Sequence, residues 1–375
     1  MKARRQSNYD FTFIAWVALV VGLGLLLLAS ASAVVSFQKF GTSYYYLQRQ
    51  FLYGLIPGAV LFYLFSRLDY HLVVKWSLLA LGVCLVALIA VLIPSVGVSS
   101  GGASRWLDLG LFSFQPSEFV KLTFLVYLVY WLDQKGYDAI RSWRNGIIPF
   151  LVWLTVVMVL LILQPDMGTM IVIALSAVLV YFLAGARFST ILYFMFGGAG
   201  LMYLLIKIAP YRLERLTAFF NPEIEPQGIG YHINQALLAV GSGGFWGVGL
   251  GHSRQKYQYL PEVTGDSIFA VIAEELGFVL TTLLLLFLAG LIWRGIKISN
   301  RAPDNLGRLL GLGIMGWLGL QIFVNIAAML NLLPLTGIPL PFISHGGSAL
   351  AASLGALGIV ANISAQARRV EGRRQ

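Results

Sequence analysis

"SIFAVIAEELGFVLTTLLLLFLAGLIW", residues 267–293, decides the fold. It is apolar except for two adjacent acids near its start, and roughly 20 such residues suffice to cross a ~30 Å hydrocarbon core as an α-helix. Asp266 stands just before the run, and Glu274 and Glu275 lie inside it. Charged groups at membrane depth cost about 2.5–3.5 kcal/mol each on insertion scales, so these three acids need a reason to be there. Nine further stretches read as spans, near residues 11–35, 50–66, 73–94, 117–132, 146–164, 168–185, 188–208, 309–332 and 343–364. The 117–132 stretch is short and carries Glu118 and Lys121. The expectation is an all-α integral membrane protein of about ten transmembrane helices. It would form a single polytopic domain, 1–375, without a soluble domain, coiled coil or internal repeat.

Composition agrees. The chain is 58% hydrophobic and 11% charged, with a mean hydropathy of +0.79, which excludes an ordinary soluble domain. Its net charge of +10 does not point to nucleic acid, because the basic residues fall in short runs between apolar segments, as orientation signals do. The basic start, MKARRQSNYD, precedes the first apolar run without a small-residue cleavage site and reads as the flank of an uncleaved span. Cys84 is the only cysteine, so no intramolecular disulfide forms.

With the N-terminus inside, about sixteen Lys and Arg residues fall on the inner side and about eight on the outer, so both termini are expected to be cytoplasmic. The outer side then owns 36–49, 95–116 and a large loop, 209–265, between helices 7 and 8. Within that loop, residues 231–240 read as a short amphipathic helix stopped by glycines. Outer loops of this length usually have a function.

Candidate residues concentrate on that face. Asp266 is open to two readings, a helix N-cap or a general base at the membrane boundary; capping lowers its pKa and an apolar surround raises it. At 100° per residue Glu274 and Glu275 cannot both face one cavity with Asp266, so at least one serves packing. Glu118 and Lys121 lie one turn apart, as a self-neutralising pair or as the lining of a polar cavity for an anionic group. In "QPDMGT", 164–169, Pro165 and Gly168 make a tight turn and Asp166 suits a cap. Arg105, Arg212, Arg215, Arg254 and Lys256 run against the charge bias and together suit a diphosphate. The glycine-rich "GSGGFWGVGLGHS", 241–253, follows no strand and lacks the Gly-Lys-Ser/Thr ending of a nucleotide loop. The four histidines show no metal-ligand spacing.

Taken together, "RWLDLGLFSFQPSEFVKL", "QPDMGT", "AVGSGGFWGVGLGHSRQKYQYLPE", "DSIFAVIAEELG" and "LTGIPLPFISHGGSA" resemble, in order and nearly end to end, the SEDS family of bacterial peptidoglycan polymerases that includes RodA and FtsW. The "GVGLGHSRQKYQYLPE" stretch looks more like the FtsW division branch. The resemblance implies lipid II, a disaccharide-pentapeptide on undecaprenyl diphosphate, as substrate, polymerised on the outer face of the bacterial cytoplasmic membrane. It implies Asp266 as the essential aspartate, Glu118 and Lys121 as a functional polar pair, and a substrate-binding set completed by Arg105, Arg212, Arg254, Lys256, Glu262 and Ser344. It implies a class B penicillin-binding protein as cross-linking partner, alongside other divisome or elongasome membrane proteins. A divalent cation, Mg or Mn, is left open as cofactor. Two departures stand out: Thr264-Gly265 replaces the family's His-Thr, and His345 replaces the tyrosine of its Ser-Tyr-Gly-Gly-Ser. A lipid II flippase and an inactive division scaffold are the alternative readings, and the acid motif at a helix end beside a large outer loop favours an enzyme over a transporter with broken mid-bilayer helices.

Overall fold

In lipid a backbone finds no hydrogen-bond partner except itself, so long apolar segments have helices as their simplest solution. The computed structural model describes residues 9–94, 96–100, 103–108, 110, 112–208, 210–222, 228–257 and 259–374. The basic residues Lys2, Arg4 and Arg5 lie outside the described residues, as do 209, 223–227 and 258 of the large loop. In chain order the helices are α1 (Phe11–Phe40), α2 (Tyr45–Gln50), α3 (Ile56–Arg67, entered through a π-helical turn Phe51–Leu55), α4 (Tyr70–Lys75) and α5 (Ser77–Val91). After three strands come α6 (Pro116–Asp133), α7 (Tyr137–Arg141), α8 (Ile148–Leu163, entered through a π-helical turn Trp143–Ile147), α9 (Met167–Leu183) and α10 (Phe188–Ile208). The chain ends with α11 (Pro210–Phe220), α12 (Ile229–Ser242), α13 (Ile268–Ser299), α14 (Asn305–Met329) and α15 (Gly347–Arg374).

Every apolar stretch read from the sequence carries a helix. Among the described residues, six helical segments are long and apolar enough to cross a membrane: Phe11–Phe40, Trp143–Leu163, Phe188–Lys207, Ile268–Ser299, Asn305–Met329 and Gly347–Arg368. The helices α5 and α9 are apolar but shorter. The expectation of an all-α protein needs one correction. Segment 97–114 forms a small antiparallel sheet, β1 (Gly97–Ser100), β2 (Ala103–Asp108) and β3 (Ser113–Phe114), with Val98 opposite Trp106 and Leu107 opposite Phe114. An open sheet edge is not tolerated against lipid but is acceptable beside water or protein, so a connecting segment is where one can form.

Helix α15 is the central post and is buried along almost all of 348–367. Its sequence, SALAASLGALGIVANISAQA, is mostly small, and small residues let backbones approach closely where lipid offers no hydrophobic driving force. Against α3, a side chain at Gly358 would place its Cβ 2.6 Å from the Phe62 carbonyl oxygen, and one at Gly58 2.6 Å from a Leu354 methyl.

Helix α13 is bent at Gly277, whose φ of 71° and ψ of −178° interrupt the helical ladder. The glycine-rich loop after α12 fills the breach. Val248 and Gly249 amides donate to the Glu274 and Glu275 carbonyls at 3.0 Å, while Phe278 and Val279 amides donate to Gly244 and Phe245 at 2.8 and 3.1 Å. Gly247, with φ 78°, lies so close that any Cβ there would run into the Glu275 carbonyl oxygen. Irregular backbone at this position is tolerable because protein satisfies it.

Candidate active site

Asp266 sits two residues before the start of α13, whose N-cap is Ser267 without a side-chain cap bond. The carboxylate accepts the Ser267 hydroxyl, at 3.4 Å, and the Asp266 and Ser267 backbone beside it favours its charged form. The capping reading therefore does not describe it. Burial pushes its pKa up to about 6, with the Arg215 guanidinium and these groups pulling the other way.

The segment carrying Asp266 is held from several directions. Glu262 turns the chain with a left-handed φ of 49°, and its carbonyl accepts the Gly265 and Ser267 amides at 2.9 and 3.3 Å. The 337–346 loop clamps the other side. The Ser344 hydroxyl donates to the Gly265 carbonyl at 2.7 Å, and the His345 amide donates to the Thr264 carbonyl at 2.8 Å. From α14, the Asn325 amide group donates to the Asp266 and Ile338 carbonyls at 2.9 and 2.8 Å, tying loop and aspartate to one side chain. Gln50 of α2 holds the same loop, donating to the Ser344 carbonyl at 3.2 Å and accepting the Gly346 amide at 2.9 Å. Gly337, with φ 71°, faces the carboxylate; a Cβ there would lie 3.9 Å from Asp266 Oδ2.

Around it stand ionisable and aromatic groups. Arg215 of α11 donates to the Leu335 carbonyl at 3.0 Å and acts electrostatically on both Asp266 and His232. His232 Nε2 lies 2.6 Å from Ser267 Oγ. With Nε2 protonated, hydrogen bonds run from His232 through Ser267 to the carboxylate. Burial brings the His232 pKa down to about 4, so the ring is neutral at pH 7. The exposed Glu262 acts on His232 and on Tyr46, which packs edge-on against His345 at 5.0 Å. A single carboxylate with a pKa near the working pH, fixed through its backbone and neighboured by a guanidinium, suits general-base chemistry next to an anionic group.

A family model covering FtsW, RodA and SpoVE, described as a cell cycle protein, matches residues 10–369. The chain belongs to this family. It is 39% identical to stage V sporulation protein E of Bacillus subtilis, over 97% of this chain and 99% of that protein. It is 40% identical to a probable peptidoglycan glycosyltransferase FtsW of Trichlorobacter lovleyi, over 97% and 95%. Among solved structures it resembles a peptidoglycan synthase complex described as coordinating polymerization and crosslinking, with a TM-score of 0.79, 30% identity and 95% and 97% coverage. It also resembles the rod shape determining protein RodA of Thermus thermophilus, with a TM-score of 0.69, 29% identity and 95% and 96% coverage. Membership of the FtsW/RodA/SpoVE family and the long apolar helices together describe a multi-pass membrane protein.

The other sequence candidates of this family member divide into those gathered at Asp266 and those placed elsewhere. Glu262 belongs to the Asp266 segment and Ser344 to the loop that clamps it. The five cations expected on the outer face do not form one cluster. Arg105, on β2, donates to the Gln164 and Pro165 carbonyls. Arg212 is buried and donates to the Leu205 carbonyl of α10 at 2.9 Å, one turn from Arg215. The Arg254 side chain is exposed, and its amide donates to Glu274 at 2.9 Å. Lys256 departs from the expected cationic set in this structure: it is 2% exposed and pairs with Glu275 at 2.8 Å, because an ammonium buried there needs a carboxylate. Both glutamates of α13 turn out to lash the loop. Glu274 accepts from the Ser253 hydroxyl at 2.5 Å and the Arg254 amide, and Glu275 from Lys256 and the Ser30 hydroxyl, the latter at 2.5 Å.

Glu118 and Lys121 form the expected one-turn pair at 2.8 Å, and Lys121 also donates to Gln321 at 2.9 Å. Both are buried, and the void beside Lys121, lined by Phe124, Ile173 and Trp317 among others, is about 10 Å³. That is at most one water's worth of room, so in this structure the pair is a neutralised internal strut that borders no headgroup-sized cavity. Asp166 caps α9 at the Thr169 amide. His232, Ser267, Asn325, Gln50 and Arg49 escaped the sequence reading. An asparagine inside the apolar α14 run was the available signal, since a polar side chain there needs a partner.

Proposed function

We propose that this chain is a peptidoglycan glycosyltransferase that polymerises lipid II on the outer face of the bacterial cytoplasmic membrane, with Asp266 as general base. The observation that carries the reading is the Asp266 carboxyl, raised to about 6 by burial, fixed by Ser344 and Asn325 through the backbone around it, and neighboured by Arg215. The names of the relatives, glycosyltransferase and peptidoglycan synthase complex, agree with it. The carboxylate takes the proton of the acceptor sugar 4-hydroxyl as that oxygen attacks the donor anomeric carbon. The bond from this carbon to the diphosphate oxygen breaks, and undecaprenyl diphosphate leaves with the electron pair. Arg215 is the charge best placed to offset it, and the exposed Arg49, which acts electrostatically on His345, stands at the mouth of the same region. Among the described residues no three His, Cys, Asp or Glu side chains gather as a metal-binding group, so no step is assigned to a divalent cation.

In this reading the termini are cytoplasmic, 209–265 is extracytoplasmic, ten helices span the membrane, and a class B penicillin-binding protein supplies cross-linking. The test is incubation of the purified chain with lipid II, with and without such a partner, and separation of the products by gel. Glycan polymer that disappears in Asp266→Asn is the expected result. Wild-type chain that yields no polymer with or without the partner overturns the assignment, and movement of intact lipid II across vesicles would make it a transporter.

A further inference from the structure

The far end of α13 carries a second polar feature, on which neither the proposed chemistry nor the sequence motifs draw. A cleft of about 40 Å³ opens between the start of α1, the end of α13 and α15. Asp10, Arg294, Lys297, Ile298, Arg301, Ser364, Ala367 and Arg368 line it. Four cations thus face one carboxylate. Asp10 already has its work: it caps α1 at the Phe13 amide and accepts Arg294 at 2.7 Å, with Arg368 at 3.6 Å. Its single charge leaves a net +3 around the cleft. Arg294 adds an unused donor, since its Nε is buried and has no hydrogen-bond partner among the described residues. A buried orphan N–H of this kind is uncommon and signals an ion or water at that place. The cleft holds roughly three water-sized volumes, room for the oxygens of one phosphate group. Beside it, Lys297 stacks 5.3 Å from the ring centroid of Trp293, which is 63% exposed. An exposed tryptophan at the end of an apolar helix marks headgroup depth.

We propose that this cleft is a binding site for a phosphate oxyanion at the membrane interface, with Arg294 as the inward donor and Lys297 and Arg301 as the rim. The inference is independent of the reaction assigned to Asp266, which lies at the opposite end of α13.

The test measures retention of phosphatidylglycerol and of phosphatidylcholine on delipidated full-length protein by native mass spectrometry. Inorganic phosphate serves as probe in a parallel arm of binding calorimetry. The variants are Lys297→Gln/Arg301→Gln, which changes side chains outside the Asp10 pair, and Arg294→Lys, which keeps the charge but removes the Nε donor. Each basic residue near an anionic surface contributes about fivefold, so the double variant should hold the phosphate ligand roughly thirtyfold more weakly at low salt. Arg294→Lys should weaken it as well. Loss of phosphatidylglycerol with no effect of inorganic phosphate identifies a lipid headgroup as the source. The same wild-type-over-variant difference with inorganic phosphate alone identifies a soluble one. Equal retention by wild type and variants of both probes overturns the site.

Discussion

Replacing Asp266 by Asn should separate catalysis from stability in opposite directions. The carboxyl stands at about 6 against an ordinary 3.8. Two pKa units correspond to ~3 kcal/mol of unfavourable interaction felt by the ionised form in the folded protein. The sign follows from proton binding. Between pH 4 and 6 the folded state holds a proton that the unfolded chain releases, so stability is lost as pH rises through that window, and the full cost is present at pH 7. Asn carries no charge, has nearly the same shape and still accepts from Ser267, so it removes the cost. Because Asp266 is half-buried, about 1–3 kcal/mol of the gain should survive, a rise of a few degrees in Tm. Activity should fall by ~10²–10⁴, the usual consequence of losing a positioned base. In wild type the rate should drop as pH falls below about 6, where the base becomes protonated. Thermal unfolding in detergent and glycan formation from lipid II, at matched partner binding, read both effects. An Asn variant above about a tenth of the wild-type rate, well outside that range, refutes the base. A variant that loses activity together with Tm makes Asp266 a structural residue.

Other consequences follow from the packing. Lys121→Ala leaves Glu118 buried without its cation and should cost ~3–5 kcal/mol; the exchange Glu118→Lys/Lys121→Glu should recover most of that loss in a thermal melt, and a swap as unstable as the single variant contradicts the strut. Gly358→Ala forces a Cβ toward the Phe62 carbonyl, a backbone atom that cannot rotate away, and should destabilise by about 1–3 kcal/mol, measured as reduced Tm and expression. In a Cys84→Ala background, Tyr257→Cys should react with an impermeant thiol reagent in intact cells and Asn300→Cys should not, both positions being exposed; the reverse pattern inverts the orientation and puts Asp266 on the wrong side.

The helices were legible because lipid leaves a long apolar segment few alternatives, and periodicity was not needed to find them. The sheet at 97–114 was not, since its short strands lie between glycines and serines in a segment that reads equally well as irregular loop. At the site, Asp266 was legible as a charge beside an apolar run, whereas whether it caps the helix turns on where its carboxylate lies relative to the first-turn amides, a matter of ångströms. The cationic set misled for a related reason. Basic residues expected on one face of the membrane were read as one diphosphate cradle, but Lys256 is balanced by Glu275 and Arg105 by the carbonyls of a turn, and only contacts show such pairing.

Gly277 explains why the acids of α13 and the glycines of 241–251 occur together. The left-handed residue opens the ladder one turn beyond Glu274 and Glu275 and exposes carbonyls that lipid would leave bare. Only a loop that can bring its own backbone into contact fills that breach, which requires glycine at 247. The two carboxylates then hold the following loop through Ser253, the Arg254 amide and Lys256. The same chain leads on through Glu262 to Asp266, so the kink, the buried acids and the glycines serve one end, which is to present a carboxylate at the top of a bent helix without leaving polar backbone in the membrane.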